Sequence, residues 1–272
     1  MVHELAFAKL NLVLHVGPPR ADGLHPLCSV FASIDLADDV EVGVADARSD
    51  VVECPGVHGP NLAESAVAAF RRRVTSLPAL RVRIDKRIPV AAGLGGGSAD
   101  AAAVLRAANQ IAGSPLSIPA LREIAAGVGS DVPSQIDPRH ALVEGVGHVS
   151  EVVELPPYGV LLVPQQEGLS TAEVYGQLDR MSGWRDRLDP GPLRDFVRSP
   201  DPGALENDLQ PAAVALRPEL KRALSGLRAA GALGSVVGGS GPTCCGLFAD
   251  RADAQRAAGH IQGAIVTELR HP

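Results

Sequence analysis

Between residues 89 and 110 the chain reads PVAAGLGGGSADAAAVLRAANQ. Gly93, Gly95, Gly96 and Gly97 fill four of five consecutive positions, and Ser98 and an alanine-rich stretch follow at once. Ala101, Val104, Leu105, Ala108 and Ile111 recur at helical spacing, with Gly113 as a natural stop. Upstream, Leu80, Val82 and Ile84 alternate with Arg81, Arg83 and Asp85, the period of a strand with one buried face. A strand, a glycine loop and a helix in that order aim backbone N–H groups into one concavity. The helix N-terminus adds partial positive charge there, which suits a phosphate. A flexible turn is the plainer reading, but this glycine density directly ahead of a helix favours the anion site.

The spacing excludes the best-known phosphate loops. A P-loop needs GxxxxGK[ST], and no lysine in this chain follows a glycine. A dinucleotide fingerprint needs glycines at i, i+2 and i+5; counting from Gly93 reaches Ser98, and from Gly95 reaches Asp100. The protein-kinase loop fails the same test. Anion binding is left to backbone and helix, with Ser98 and Ser240 able to add hydroxyls. A second cluster, Gly238-Gly239-Ser240-Gly241-Pro242, lies between two expected strands. Alone it reads as a hairpin turn; beside a nucleotide site it can close over the phosphates.

Hydrophobic residues make up 46% of the 272 and charged ones 21%, so a packed core in one large domain or two modest ones is expected. A net charge of −6 argues against a nucleic-acid backbone as partner, though not against a nucleotide. Of the 25 basic residues only Lys9, Lys86 and Lys221 are lysines. A lysine kept in an arginine-rich chain suits a need for a compact charge or an adjustable pKa, though chance alone also leaves three. The first residues lack the basic-then-apolar pattern of a signal peptide, and the uncharged stretch 229–249 is broken by glycines and Pro242. Cys28, Cys54, Cys244 and Cys245 form neither CxxC pairs nor zinc spacings. A reduced, cytoplasmic, membrane-free protein is the expectation.

Leu10, Leu12 and Leu14 alternate with Lys9, Asn11, Val13 and His15, which implies a strand with one apolar face and puts Lys9 and Asn11 together on the other. Val40, Val42 and Val44 alternate likewise. Asn61 is a helix N-cap with Glu64 three residues on. A short helix follows Ser117. In the second half the pattern reads strand 159–163, helix 171–180, a Pro/Gly-rich loop 182–203, helices to Gly231, strands 234–238 and 243–249, helix 251–262 and strand 264–270. An α+β sandwich resembling a ferredoxin-like arrangement follows, with a boundary near residue 150.

Taken singly, several residues have ordinary explanations. Asp131 in GSDVP suits a turn or cap, Lys9 a solvated strand face, and His25 in DGLHP a loop. Tyr175 follows a capping box of Ser170 and Glu173 and suits half-buried core. Asp100 in the first helical turn suits the helix dipole, with water-mediated magnesium contact a lesser option.

Together, AKLNL (8–12), PVAAGLGGGSADAA (89–102) and VVGGSGPT (236–243) resemble, in that order, the three motifs of the GHMP kinase superfamily. RADGLH, Asn61-Leu62, IDKRIP, GSDVP and EGVG narrow the resemblance to its branch acting on a cytidine-diphosphate-linked methylerythritol in non-mevalonate isoprenoid biosynthesis. The resemblance spans nearly the whole chain. It implies a two-domain α+β fold: residues 1–150 form a ribosomal-protein-S5-like domain with the phosphate loop, and 151–272 a ferredoxin-like α/β sandwich. It implies ATP with Mg2+, and a monomer or homodimer.

The resemblance also implies roles. Lys9 and Asp131 match the catalytic pair. Pro89, Val90, Ala91, Ala92, Gly93, Leu94, Gly95, Gly96, Gly97, Ser98 and Ala99 match the ATP phosphate loop, with Gly239 and Ser240 beside it. Asn61 and Lys86 match the adenosine side. His25 and Tyr175 match the residues that hold and stack cytosine, and Asn11 and Thr171 match substrate contacts. The branch usually has tyrosine where Leu24 stands, and often an aromatic after DVP where this chain has Ser134 and Gln135. A homoserine- or mevalonate-type kinase of the same superfamily, an RNA-binding module and a catalytically silent sensor are the competing expectations.

Overall fold

The computed structural model describes residues 1–271. Its strands, in chain order, are β1 (Val2–Val16), β2 (Leu27–Val44), β3 (Val51–Glu53), β4 (Leu80–Asp85), β5 (Ala141–Gly145), β6 (His148–Val152), β7 (Gly159–Val163), β8 (Glu206–Asn207), β9 (Gly234–Val237), β10 (Cys244–Phe248) and β11 (Ile265–Glu268). The α-helices are α1 (Leu62–Arg73), α2 (Gly96–Ile111), α3 (Ile118–Ala126), α4 (Val132–Gln135), α5 (Thr171–Met181), α6 (Gly191–Arg198), α7 (Gln210–Leu216), α8 (Leu220–Ala229) and α9 (Arg251–Ala258). The chain divides into two compact units. Unit one comprises Met1–Ala8, Leu36–Val90 and Gly95–Pro138; unit two comprises Lys9–Asp35, Ala91–Leu94 and the chain from Arg139 onward.

In unit one, β4 pairs antiparallel with the second half of β2 and parallel with β3. Leu80, Val82 and Ile84 are buried while Arg81, Arg83 and Asp85 face out, as the alternation requires. Helices α1 and α2 pack together over a core that includes Val67, Phe70, Ile84 and Leu105. The α2 face is largely alanine (Ala99, Ala101, Ala102, Ala103, Ala107 and Ala108 are buried), and such short side chains let helix axes approach closely. Asn61 caps α1, accepting from Ala63 N at 2.9 Å. Ser117 caps α3, and Gly113 takes φ +83° beyond the end of α2.

In unit two, β7, β9, β10 and β11 form an antiparallel sheet ordered β11-β7-β10-β9. Counting from β7, that order is fourth, first, third, second, the ferredoxin-like arrangement expected from the alternation of elements. Helix α8 packs on β9 and β10, and α9 on β7, β10 and β11. Leu161, Leu178, Leu224, Leu227, Val237 and Phe248 are buried in its core.

Some elements differ from the expectation. Residues 182–203 are not an unbroken loop: they contain α6 and a 3-10 turn, Pro202–Ala204. The sequence GPLRDFVR reads as a loop through its Gly-Pro start, yet proline is at home in a first helical turn, and Leu193 and Phe196 are buried three residues apart. The hairpin β5–β6 turns through Gly145 and Gly147, both with positive φ. Strand β1 was expected to have one apolar face; Val13 and His15 are buried like Leu12 and Leu14, so both faces of this part of β1 are covered.

Candidate active site

The strand period of two builds the centre of the site in unit two. Lys9 and Asn11 lie two residues apart on β1, so both side chains leave the same face. Ser29 and Phe31 are related in the same way on β2. Lys9 Nζ donates to Asn11 Oδ1 at 2.7 Å, and Asn11 Nδ2 donates to Ser29 Oγ at 2.9 Å. The ammonium also lies 4.4 Å from the centre of the Phe31 ring, a cation–π contact. Lys9 and Asn11 are 6% and 2% exposed, so this lysine does not have the solvated place that an isolated polar strand position suggests.

Both glycine clusters approach this pair within unit two. A Cβ on Gly239 would lie 3.1 Å from Gly93 O, 3.3 Å from Asn11 Oδ1 and 3.9 Å from Lys9 Nζ. A Cβ on Gly93 would lie 2.2 Å from Gly238 O and 2.8 Å from Gly241 O, and Gly93 has φ +76°. The two loops therefore meet backbone to backbone, and only glycine allows it. The second cluster is a turn between β9 and β10, as its sequence suggests, and Asn207 ties it down: Nδ2 donates to Val237 O at 2.8 Å and Gly239 O at 2.7 Å. Sequence reasoning missed Asn207; a buried-type asparagine next to DLQP, ahead of a helix, was the available signal. Thr171, the first residue of α5, brings Oγ1 within 2.9 Å of Ser240 Oγ.

His25 and Tyr175, expected to hold a pyrimidine, lie side by side. His25 is buried rather than a free loop residue, because its Nδ1 donates to Gly17 O at 2.7 Å. Its ring centre is 5.2 Å from that of Tyr175 and 6.2 Å from that of Trp184. The other ring nitrogen faces Asp179 Oδ1 at 3.2 Å. Trp184, the one tryptophan of the chain, was overlooked because it falls in the stretch read as loop. Leu24 is exposed.

Other residues singled out in the sequence lie in unit one. Helix α2 starts at Gly96, with Gly95 at φ +72° ahead of it. The N–H groups of Gly96, Gly97 and Ser98 have no carbonyl four residues back within the helix. Beneath this turn lies a buried ion triad. Lys86 Nζ is 2.7 Å from Asp100 Oδ2 and also binds Asp38 Oδ2, while Asp38 Oδ1 accepts from Arg87 N and Ile88 N. Burial pushes the Asp100 carboxyl up to about 7; Lys86 pulls against that shift and Asp38 adds to it. Burial pulls the Lys86 ammonium down, but the two carboxylates outweigh it and hold it above its ordinary value. Asp100 is thus an ion-pair partner first and a helix-dipole residue second. Its Oδ1 is buried without a hydrogen-bond partner. Because Lys86 already occupies the shared side of these carboxylates, the triad does not fit a resident metal ion. No group of three metal-ligating side chains occurs among the described residues.

Asp131 precedes α4, and its carboxylate does not cap that helix. It is half-buried, and its carbonyl accepts from Ser134 Oγ. Asn61 spends its carbonyl oxygen on capping α1.

Unit one carries a glycine loop at a helix N-terminus, and unit two carries a glycine turn beside a buried lysine–asparagine pair; each suits phosphate chemistry, and comparison with known families gives the class. Residues 61–137 match the family described as GHMP kinases N terminal domain, and residues 194–264 match GHMP kinases C terminal. The chain is a small-molecule kinase of the GHMP class, with the two-domain α+β fold of that class. It is 42% identical to the 4-diphosphocytidyl-2-C-methyl-D-erythritol kinase of Anaeromyxobacter dehalogenans (strain 2CP-C), over 95% of this chain and 84% of that one. It is 41% identical to the enzyme of the same name from Corynebacterium efficiens, over 98% and 91%. A crystal structure of 4-(cytidine 5'-diphospho)-2C-methyl-D-erythritol kinase superposes with a TM-score of 0.85 at 31% identity, covering 100% of both chains. The chain belongs to the 4-diphosphocytidyl-2-C-methyl-D-erythritol kinase family.

Proposed function

We propose that this chain transfers the γ-phosphoryl group of ATP to the 2-hydroxyl of 4-diphosphocytidyl-2-C-methyl-D-erythritol, giving the 2-phosphate and ADP in isoprenoid biosynthesis. The observation that carries the reading is the meeting of Lys9, Asn11, Gly93 and Gly239 within a few ångströms in a chain of this family. The His25–Tyr175 ring pair favours a cytidine substrate over homoserine or mevalonate, neither of which offers a base to stack.

In this reading residues 89–99 cradle the triphosphate with backbone N–H groups and the α2 N-terminus, and Gly239 and Ser240 cover it. Asn61 and Lys86 line the adenosine side. Asn11 and Thr171 orient the sugar alcohol, and His25 and Tyr175 hold the cytosine. Asp131 takes the proton of the attacking hydroxyl as its oxygen bonds to the γ-phosphorus and the bond to ADP breaks. Lys9 stabilises the charge on the transferring group. Binding energy from the distant cytidine serves to position that hydroxyl. Mg2+ would arrive with ATP as part of the substrate and would offset the phosphate charge.

The family matches at 61–137 and 194–264 fall on either side of residue 150, which supports a division into modules 1–150 and 151–272. We place the protein in the cytoplasm, as monomer or homodimer, with no nucleic-acid partner; no helix among the described residues is long and apolar enough to cross a membrane. The test is turnover: ADP release with ATP and the cytidine substrate, and none with homoserine or mevalonate. Turnover of either of those, or of none of the three, refutes the reading.

A further inference from the structure

Ser29 has no place among the residues that bind substrate or nucleotide, yet it is fully buried in unit two and bonded on both sides. Its Oγ donates to Val13 O at 2.7 Å and accepts from Asn11 Nδ2 at 2.9 Å. A carbonyl oxygen can only accept, so the single hydroxyl proton is committed to Val13. What Ser29 offers Asn11 is therefore a lone pair, and only the NH2 end of the carboxamide can meet it. The other end, Oδ1, must then face Lys9 Nζ, where it lies at 2.7 Å. Reversed, the amide would set its N–H groups against the ammonium and its oxygen against the lone pair of Ser29.

We infer that Ser29 is a positioning residue that fixes the carboxamide of Asn11 with its oxygen toward Lys9, and so holds the ammonium in place. The direction of a buried amide is set by a backbone carbonyl two bonds away, through one hydroxyl. Phe31, two residues along the same strand face, supports the ammonium from another side. The four side chains on β1 and β2 thus act as one unit, in which Lys9 and Asn11 meet the reactants and Ser29 determines their geometry. The kinetic part of this inference rests on the proposed role of Lys9; the orientation of Asn11 does not.

The experiment has two arms on the full chain. In the first, NMR follows hydrogen exchange of the Asn11 side-chain amide. Ser29→Ala is expected to speed exchange by about tenfold or more as the bond to Oγ is lost, and Ser29→Thr, which keeps the hydroxyl, to restore slow exchange. In the second, Ser29→Ala is expected to lower kcat by about ten- to a hundredfold through misplacement of the ammonium, with KM for ATP nearly unchanged. Ser29→Thr recovers most of kcat. Ser29→Cys, similar in size but a far weaker hydrogen-bonding group, replaces Ser29→Ala if that variant does not fold. Unchanged Asn11 exchange in a folded variant overturns the inference whatever the turnover. Altered exchange with normal kcat overturns the link to catalysis. A wild-type chain without turnover refutes the proposed reaction, and the exchange arm still decides the role of Ser29.

Discussion

Lys86 and Asp100 meet at 2.7 Å beneath the first turn of α2, the helix that follows the glycine loop, with the Asp100 side chain almost wholly buried. Two carboxylates, Asp38 and Asp100, share this one ammonium. The backbone N–H groups of Arg87 and Ile88 satisfy Asp38, whereas Asp100 keeps one oxygen without a partner. The protonation equilibrium therefore falls on Asp100.

The first prediction follows from that asymmetry. Burial pushes the Asp100 carboxyl from its ordinary 3.8 up to about 7 in the folded chain. The folded state holds the proton more tightly than the unfolded chain, so Asp100 favours folding at acid pH. That contribution is lost as pH rises from about 4 through 7. Asp100→Asn keeps the neutral shape at every pH. Thermal melts of the two proteins are expected to agree near pH 4 and to separate as pH rises, with wild type falling below the variant by pH 8. A difference in Tm that stays constant across this range would rule out the shift.

The glycine loop offers a graded test. At Gly97 an added Cβ meets only Leu62 Cδ1, at 3.9 Å, an ordinary contact. Gly97→Ala should fold normally and gain about 0.5–1 kcal/mol from lower backbone entropy in the unfolded chain. Its methyl group would nonetheless stand where the proposed reading brings the phosphate. Calorimetry should show ATP binding weakened by about tenfold or more, the scale of one lost charge-assisted hydrogen bond. At Gly96 the Cβ lies 3.0 Å from Ile88 Cγ2 and 3.3 Å from Lys86 Nζ, so Gly96→Val should lose ATP binding together with some stability. Gly93→Ala should misfold the loop outright, given its contact with Gly238 O. Unaltered ATP affinity in Gly97→Ala would remove the loop from the nucleotide site.

Much of this was legible in the sequence because the signals are local. The alternation at Leu80, Val82 and Ile84, the cap at Asn61 and the helix after Gly95 each depend on a few neighbouring residues. The ferredoxin-like order of β7, β9, β10 and β11 followed from the alternation of strands and helices. What escaped was long-range. Ser29 looks like any strand serine until Asn11, 18 residues away, lies beside it. Asn207 reaches over 30 residues ahead to Gly239. Trp184 approaches His25 only after the chain folds back. Taken singly, Lys9 suited a solvated strand face and Asp100 the helix dipole, because burial of a charge becomes visible only with its partners.

Tyr175 tests the cytidine. The 5.2 Å separation and 38° tilt between its ring and that of His25 leave the two rings neighbours without a parallel stack. Removing the ring by Tyr175→Ala should cost about 1–3 kcal/mol of base stacking, a loss of roughly tenfold or more in affinity for the cytidine substrate. ATP affinity should not move. Tyr175→Phe should be mild, because stacking needs the ring and not the hydroxyl. Equal effects of alanine and phenylalanine, measured by calorimetry with the cytidine substrate, would show that stacking is the wrong explanation.

The last prediction concerns Lys9 and Asp131. Lys9 is enclosed by Asn11 Oδ1 at 2.7 Å and the Phe31 ring at 4.4 Å, a space shaped for a compact ammonium. Lys9→Arg keeps the charge but brings a planar fork too broad for that space, and Lys9→Met keeps most of the length without the charge. Asp131→Asn keeps the shape of a side chain that does not cap its own helix, and removes its capacity to accept a proton. Each of the three variants should lose turnover by about a hundredfold or more, within the range for acid–base and charge-stabilising groups. ATP affinity should change much less, because the proposed reading assigns the triphosphate to backbone groups around residues 93–98. Thermal melts would confirm that each variant is folded. Combining Asp131→Asn with Lys9→Met should cost far less than the product of the single losses if the two serve one transition state. Single-turnover rates for the three variants and the double decide the matter. Multiplying losses would mean that Lys9 and Asp131 act separately, and near-normal turnover of Asp131→Asn would remove it as the base.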